Sequence, residues 1–197
     1  MTKPSRRVFA SLCGVAVVLI MLMLAVGSVQ ATAEHVRWDI IQFTSVHPRT
    51  FAAGGTASAL AQDGSMITLT GSGTFTPGED GEVTGGGTWA TQSPSGATIG
   101  SGTYQVTGLI KFDVAPGGVP SPPFVDLIGP AANAHAGLAF LRIRYSDGSR
   151  GVLTVSCTFV GTPPNVFEGI TASKDFVDYF MRVPQHFTLF HFISAED

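Results

Sequence analysis

The sequence predicts an all-β domain, and three observations carry that expectation. A five-residue phrase occurs three times, as Gly71-Ser72-Gly73-Thr74-Phe75, Gly85-Gly86-Gly87-Thr88-Trp89 and Gly100-Ser101-Gly102-Thr103-Tyr104. Its spacing fits one short strand plus one tight connection and is too short for the common helical repeats. Around the first copy, Ile67, Leu69, Gly71, Gly73 and Phe75 alternate with Thr68, Thr70, Ser72, Thr74 and Thr76, which is the period of a half-buried strand. Further on, Leu141, Ile143 and Tyr145 alternate with Arg142 and Arg144, and Leu153, Val155, Cys157 and Phe159 alternate with Thr154, Ser156 and Thr158. The expected architecture is an antiparallel meander of about 8–10 strands closed as a flattened barrel or a sandwich.

The amino terminus reads as an export signal over residues 1–33. Lys3, Arg6 and Arg7 precede an apolar run from Leu12 to Val26, and Ala31-Thr32-Ala33 has the small-x-small pattern of a cleavage site. Ser5-Arg6-Arg7-Val8-Phe9 also resembles the twin-arginine motif, so general secretion, twin-arginine export and an uncleaved membrane anchor all remain open. The expected location is secreted, periplasmic or cell-envelope. Residues 34–197 then form one expected β-domain, long enough to bury a core without disulfide staples. Only Cys157 would remain in it, so no internal disulfide forms. Without Lys3, Arg6 and Arg7, eight basic residues face fourteen acidic ones. No basic run is present to neutralise a row of phosphates, which argues against nucleic acid as a partner.

Along the domain, Val36 to Phe43 predicts a first strand whose Trp38-Asp39-Ile40-Ile41 does not alternate, followed by breaks at His47-Pro48 and Gly54-Gly55. Thr56 to Gln62 predicts a second strand, turned by Asp63-Gly64 so that Leu60 faces Ile67. Pairing Phe75 with Val83 sets Gly73 against Gly85 and Leu69 against Trp89. Pairing Thr91 with Thr98 sets Trp89 against Gly100 and Tyr104 against Gly85. In the two hairpins together, aromatic rings lie over bare glycine backbone, which recovers part of the cost of glycine in a strand. Phe75, Trp89 and Tyr104 are therefore expected core residues, and the threonines the solvated face. The third strand of the repeat continues through Val106, Ile110, Phe112 and Val114 on the inward parity, which makes it long, with a bend near Gly108.

Residues 115–130, rich in proline and glycine, predict a crossover loop that packs partly through Phe124, Val125, Leu127 and Ile128, or a lid over a site. Gly137 to Phe159 predicts a hairpin. A two-residue turn there would bury Arg142 and Arg144, so a three-residue loop, Ser146-Asp147-Gly148 with a left-handed Gly148, is expected, placing Leu141 opposite Leu153. Ile170 to Val183 favours strand over a short helix, and Phe187 to Ile193, apolar on both faces, suits a strand buried between layers or within an interface.

No catalytic, metal or cofactor signature is present. His35, His47, His135, His186 and His191 include no His-x-His, and the odd spacing of His186 and His191 puts them on opposite faces of one strand. Cys157 shares a face with apolar residues, the setting of an inert thiol. Gly148-Ser149-Arg150-Gly151 comes after a hairpin turn and is no nucleophile elbow. Asp175 and Asp178 oppose each other in a strand, and Glu79-Asp80-Gly81-Glu82 lacks calcium-loop spacing. The Gly-x-Gly-Thr-Tyr cadence resembles that of small barrels of the allene oxide cyclase and dirigent type over the middle of the chain, and no functional residue is carried over from that resemblance.

What remains is a candidate ligand-binding set of Arg142, Arg144, Tyr145, Phe124 and His191. The arginines form a stripe suited to a carboxylate or sulfate. The expected function is that of an exported, bacterial-type, non-enzymatic β-domain binding a small apolar ligand or a surface glycan. The alternatives are a small cyclase- or isomerase-like barrel enzyme with 115–130 as lid, and a structural envelope module. An enzyme needs convergent polar groups in a cavity, whereas a glycan binder needs an exposed aromatic platform.

Overall fold

Alternation of apolar or glycine positions with threonine and serine resolves into strand after strand, and the described residues contain one 3-10 turn and no α-helix. The structure is a computed structural model describing residues 35–78, 81–118 and 124–193. The expected export signal, Glu79-Asp80 and the middle of the proline-rich segment lie outside the described residues. The strands are β1 (His35–Val46), β2 (Arg49–Ala53), β3 (Ala57–Leu60), β4 (Met66–Leu69), β5 (Ser72–Phe75), β6 (Gly86–Gln92) and β7 (Thr98–Val114). They continue as β8 (Phe124–Asp126), β9 (Ala134–His135), β10 (Gly137–Tyr145), β11 (Arg150–Cys157), β12 (Gly169–Lys174), β13 (Val177–Tyr179), β14 (Met181–Arg182) and β15 (Phe187–Ile193). All fifteen belong to one sheet, with the main order β13-β12-β11-β10-β7-β6-β5-β1-β15-β9 and with β3, β4 and β14 branching from β6. The sheet is mixed, because β2 and β8 run parallel where a wholly antiparallel arrangement was expected. The strand number exceeds the expectation chiefly through short strands such as β8, β9 and β14 and a break at Gly71.

The path does not close through a backbone ladder among the described residues. Its far parts nonetheless come together: β12 lies beside β3 and β14, and β11 beside β15.

The glycine phrase does what its pairing implied, with one change of register. Phe75 bridges Val83 and Leu69 pairs with Trp89, as expected. In the next hairpin Trp89 pairs with Gly102 and Tyr104 with Gly87, two residues from the expected register. The cause is the longer connection Ser93–Ala97, closed by Ser93 N–H to Ala97 O at 2.8 Å, with a bulge between Thr91 and Gln92. A slip of two preserves the faces. Trp38, Trp89 and Tyr104 consequently lie across glycines. A Cβ on Gly73 would sit 2.8 Å from Trp38 Nε1 and 2.3 Å from Thr84 O, and one on Gly102 would sit 3.0 Å from Trp89 Nε1. The Tyr104 hydroxyl donates to Thr70 O at 2.8 Å, directly over Gly71.

Loop chemistry sets the other registers. Asp63-Gly64 belongs to a three-residue loop, so Ala59 faces Ile67 and Leu60 faces Met66, a correction of one residue. Ala57, Ala59 and Ala61 thereby share the buried face with Ile67. Gly148 closes the same kind of loop at φ +91° and Leu141 faces Leu153, as expected. In both loops an aspartate Oδ1 accepts the N–H and the hydroxyl of the serine two residues on, Asp63 from Ser65 and Asp147 from Ser149.

β7 bends as expected, through two register shifts against β10 that leave Thr107 and Ile110 unpaired on either side of Gly108. Each bulge reverses the facing of the residues beyond it. Between the two bulges Leu109 therefore turns inward, while Ile110 at the second bulge is exposed rather than buried; beyond it Phe112 is back against the core, and Val114, on the same parity, is exposed at the end of the strand. Ile170 to Arg182 is strand, in three short pieces.

The interior is filled by Trp38, Phe75, Phe190, Tyr145, Ile40 and Leu141, among others. β1 is buried on both faces, which explains its irregular pattern: Trp38 and Ile40 face this interior, while Asp39 and Ile41 are covered from the other side.

Gly73→Ala is expected to cost about 2–4 kcal/mol, because the added Cβ meets backbone and a buried indole. Gly96→Ala, at φ +85° with open space around it, is expected to cost only about 1 kcal/mol. Urea unfolding of the two variants checks the difference.

Candidate functional site

The second face of β1 and β15 is where the sequence places polar and apolar residues side by side. Arg37 pairs with His191 and Asp39 with Leu189 across these strands. Arg37 grips Asp39 in a bidentate pair, Nε to Oδ2 at 2.8 Å and Nη2 to Oδ1 at 2.9 Å, so that fully buried carboxylate is neutralised. His191 Nε2 lies 2.8 Å from Asp126 Oδ2, and both side chains are almost fully buried. Asp126 Oδ1 also accepts Ile128 N–H at 2.8 Å and Gly129 N–H at 3.3 Å. Burial pushes the Asp126 carboxyl up, but the His191 and backbone bonds outweigh it and hold it below its ordinary value. The carboxyl end of the proline-rich segment is thus pinned onto β15 by a hydrogen-bonded pair. The other ring nitrogen, His191 Nδ1, has no partner among the described residues.

Beside this clamp is an apolar cleft of about 510 Å³. Its walls are Phe43, Phe51, Phe124, Phe159 and Phe187 with Ile41 and Leu189. Phe43 stacks edge-on against Phe187 at 4.9 Å between centroids and against Phe51 at 6.3 Å. Gly118 and Phe124, from either side of 119–123, both line it. Arg49 lies over the Phe124 ring, 5.8 Å from its centroid.

Glu168 also lines the cleft, where β11 and β15 lie side by side without a ladder. Its Oε2 accepts Thr158 N–H at 2.6 Å and the Thr158 hydroxyl at 3.0 Å, and its Oε1 accepts Thr188 N–H at 2.8 Å. Thr188 gives its single hydroxyl proton to Ser156 O at 2.6 Å, leaving a longer 3.4 Å contact to Oε1. Burial pushes the carboxyl up to about 7, against the lowering effect of these donors. The neighbouring Cys157 thiol is pushed up too, chiefly by burial, and is no nucleophile.

The candidate residues from the sequence fall in different places. Phe124 is in the cleft and His191 in the adjoining clamp. Tyr145 points into the filled interior, its hydroxyl donating to Ser173 O at 2.9 Å. Arg142 and Arg144 line a separate groove on the solvent face of β10. Sequence reasoning missed Glu168, Arg49 and four of the five phenylalanines. The one signal for them was the double-faced apolar pattern of β15 and the broken alternation of β1. Among the described residues no group of three His, Cys, Asp or Glu side chains is placed to hold a metal ion. No known protein family, curated protein or solved structure matches the chain.

The raised Glu168 pKa has a definite sign in stability. Its folded value lies above its unfolded value near 4.5, so its stabilising effect is full below that pH and is lost as pH rises to about 7. The stability of the wild type relative to Glu168→Gln is expected to fall over this window by at most about 3 kcal/mol. Urea unfolding of both proteins between pH 4 and 8 measures it (a window of ~4 units brackets both values), and a pH-independent difference contradicts the assignment.

Proposed function

We propose that this chain is a non-enzymatic binder of a small, mainly apolar ligand held in the phenylalanine cleft, with an acceptor or anionic end of the ligand at Arg49. The observation that carries the reading is the cleft itself. Its volume of about 510 Å³ lies within the range of small-molecule sites, roughly 300–1,000 Å³. Its walls are ring faces and edges, and its polar groups are already committed: Glu168, Thr158 and Thr188 bond one another across the gap between β11 and β15. A reaction needs polar groups free to meet a reacting atom, and among the described lining residues Arg49 is the charged group not already hydrogen-bonded within the cleft.

The same comparison weighs against a glycan. Both tryptophans and all three tyrosines are buried, so the aromatic platform on which a sugar ring stacks is not offered by them. The placement of Gly118 and Phe124 favours the proline-rich segment as a wall of the ligand site, the feature that a lidded barrel enzyme would share. We read the architecture as a flattened barrel whose final join is made by side chains, supported by the approach of β11 to β15 and of β12 to β3. We further read the domain as exported, on the basic start, apolar run and small-x-small pattern of residues 1–33.

An anionic naphthalene dye is expected to bind the purified chain saturably at one site. Arg49→Gln should weaken that binding about tenfold, the worth of one charge-assisted bond, while leaving a neutral naphthalene probe unaffected. Phe43→Ala, at the exposed edge of the cleft, should weaken both probes. Absence of saturable binding of either probe overturns the proposal.

A further inference from the structure

A separate groove lies on the solvent face of β10. Arg142 and Arg144 stand two apart on its solvent face, and Arg150 pairs directly with Arg144 from β11. The three line one open groove of about 540 Å³ with Thr107, Ser173 and Asp175. The groove has a local cause. The bulge at Thr107 bends β7 beneath it. Gly151 lets β12 close in, since a Cβ there would lie 1.8 Å from Ser173 O. This approach makes Ser173 Oγ, rather than a backbone carbonyl, the acceptor of Val152 N–H at 3.0 Å. The Ser173 hydroxyl proton remains to be donated.

Like charges directly opposite on adjacent strands destabilise a sheet, and Arg144 and Arg150 form such a pair. Among the described residues none of the three guanidiniums takes part in an ion pair. Asp175, the carboxylate in the lining, accepts Arg150 N–H at 3.3 Å and forms no ion pair with any of them. A paired cross-strand Cα distance of about 5 Å and a two-residue rise of about 7 Å place all three side chains within reach of one small anion.

We propose that this groove binds a tetrahedral oxyanion, a phosphate or sulfate group, through the guanidiniums of Arg142, Arg144 and Arg150 with the Ser173 hydroxyl as a further donor. Planar forked guanidiniums match such oxygens bidentately. The group is either a free ion or the ester end of a larger molecule, and the site is independent of the phenylalanine cleft.

The test is thermal unfolding of the full chain titrated with inorganic phosphate, sodium sulfate or glycerol phosphate, against sodium chloride at equal ionic strength. The wild type should show a saturable rise in Tm beyond the chloride control. The triple variant Arg142→Gln, Arg144→Gln, Arg150→Gln should lose it, and Arg150→Gln alone should weaken the apparent affinity about tenfold or more. With no oxyanion present, Arg150→Gln should raise Tm, since it removes a like-charge pair, whereas a merely structural arginine would lower it. A stronger response to the ester than to either inorganic ion identifies an esterified group, and the reverse identifies a free ion. No saturable rise in the wild type, or an equal rise in the variants, overturns the proposal.

Discussion

One buried carboxylate joins two parts of the sheet that the backbone leaves apart. Between β11 and β15 there is no ladder, and Glu168 stands in for it, accepting Thr158 N–H on one side and Thr188 N–H on the other. Two backbone donors that would otherwise be buried without partners are satisfied by one side chain, which offsets a substantial desolvation cost. The arrangement also fixes the cleft. Thr158 and Phe159 on one side, and Phe187, Thr188 and Leu189 on the other, are held facing each other across it. The cost of holding a carboxylate there appears in its raised pKa of about 7.

The aromatic-over-glycine packing has the complementary effect on the other face. Trp38, Phe75, Tyr104 and Trp89 are buried in the interior, packed over glycine backbone. The apolar cleft is lined instead from the second face of β1 and β15, by Ile41, Phe187 and Leu189 together with Phe51 of β2 and Phe124 of β8. β8 is anchored there by its parallel pairing with β2 and by the Asp126–His191 hydrogen bond. Between that anchor and the walls of β2 and β11, the apolar cleft remains open.

Much of the fold was legible because strand alternation and loop chemistry are local. The parity argument that placed Gly148 in a three-residue loop was right, and applying it to Ala57, Ala59 and Ala61 would have corrected the Asp63-Gly64 loop as well. The slip at Trp89 and Gly102 was not legible, since a longer turn and a bulge leave every facing unchanged. Ile110 was misplaced because a bulge interrupts the period that assigns each residue to a face, and Val114, its parity restored beyond the second bulge, is exposed because it ends the strand. Of the cleft, only Phe124 was found. Glu168 comes after an irregular run containing Gly161, Pro163 and Pro164, where no periodicity says which way a side chain points. Its partners lie ten and twenty residues away, so its role exists only in three dimensions.

The packing of Trp38 against Gly73 bears on how such a chain changes over generations. The indole shares the volume above position 73 with the backbone of the neighbouring strand, since a Cβ there would also lie 2.3 Å from Thr84 O and 2.7 Å from Gly85 Cα. Shrinking the tryptophan leaves a void but does not free the position, because the backbone contacts remain. The dependence is therefore one-sided: the tryptophan needs the glycine, and the glycine is required with or without it. Related chains should keep Gly73 even where the residue at position 38 has changed.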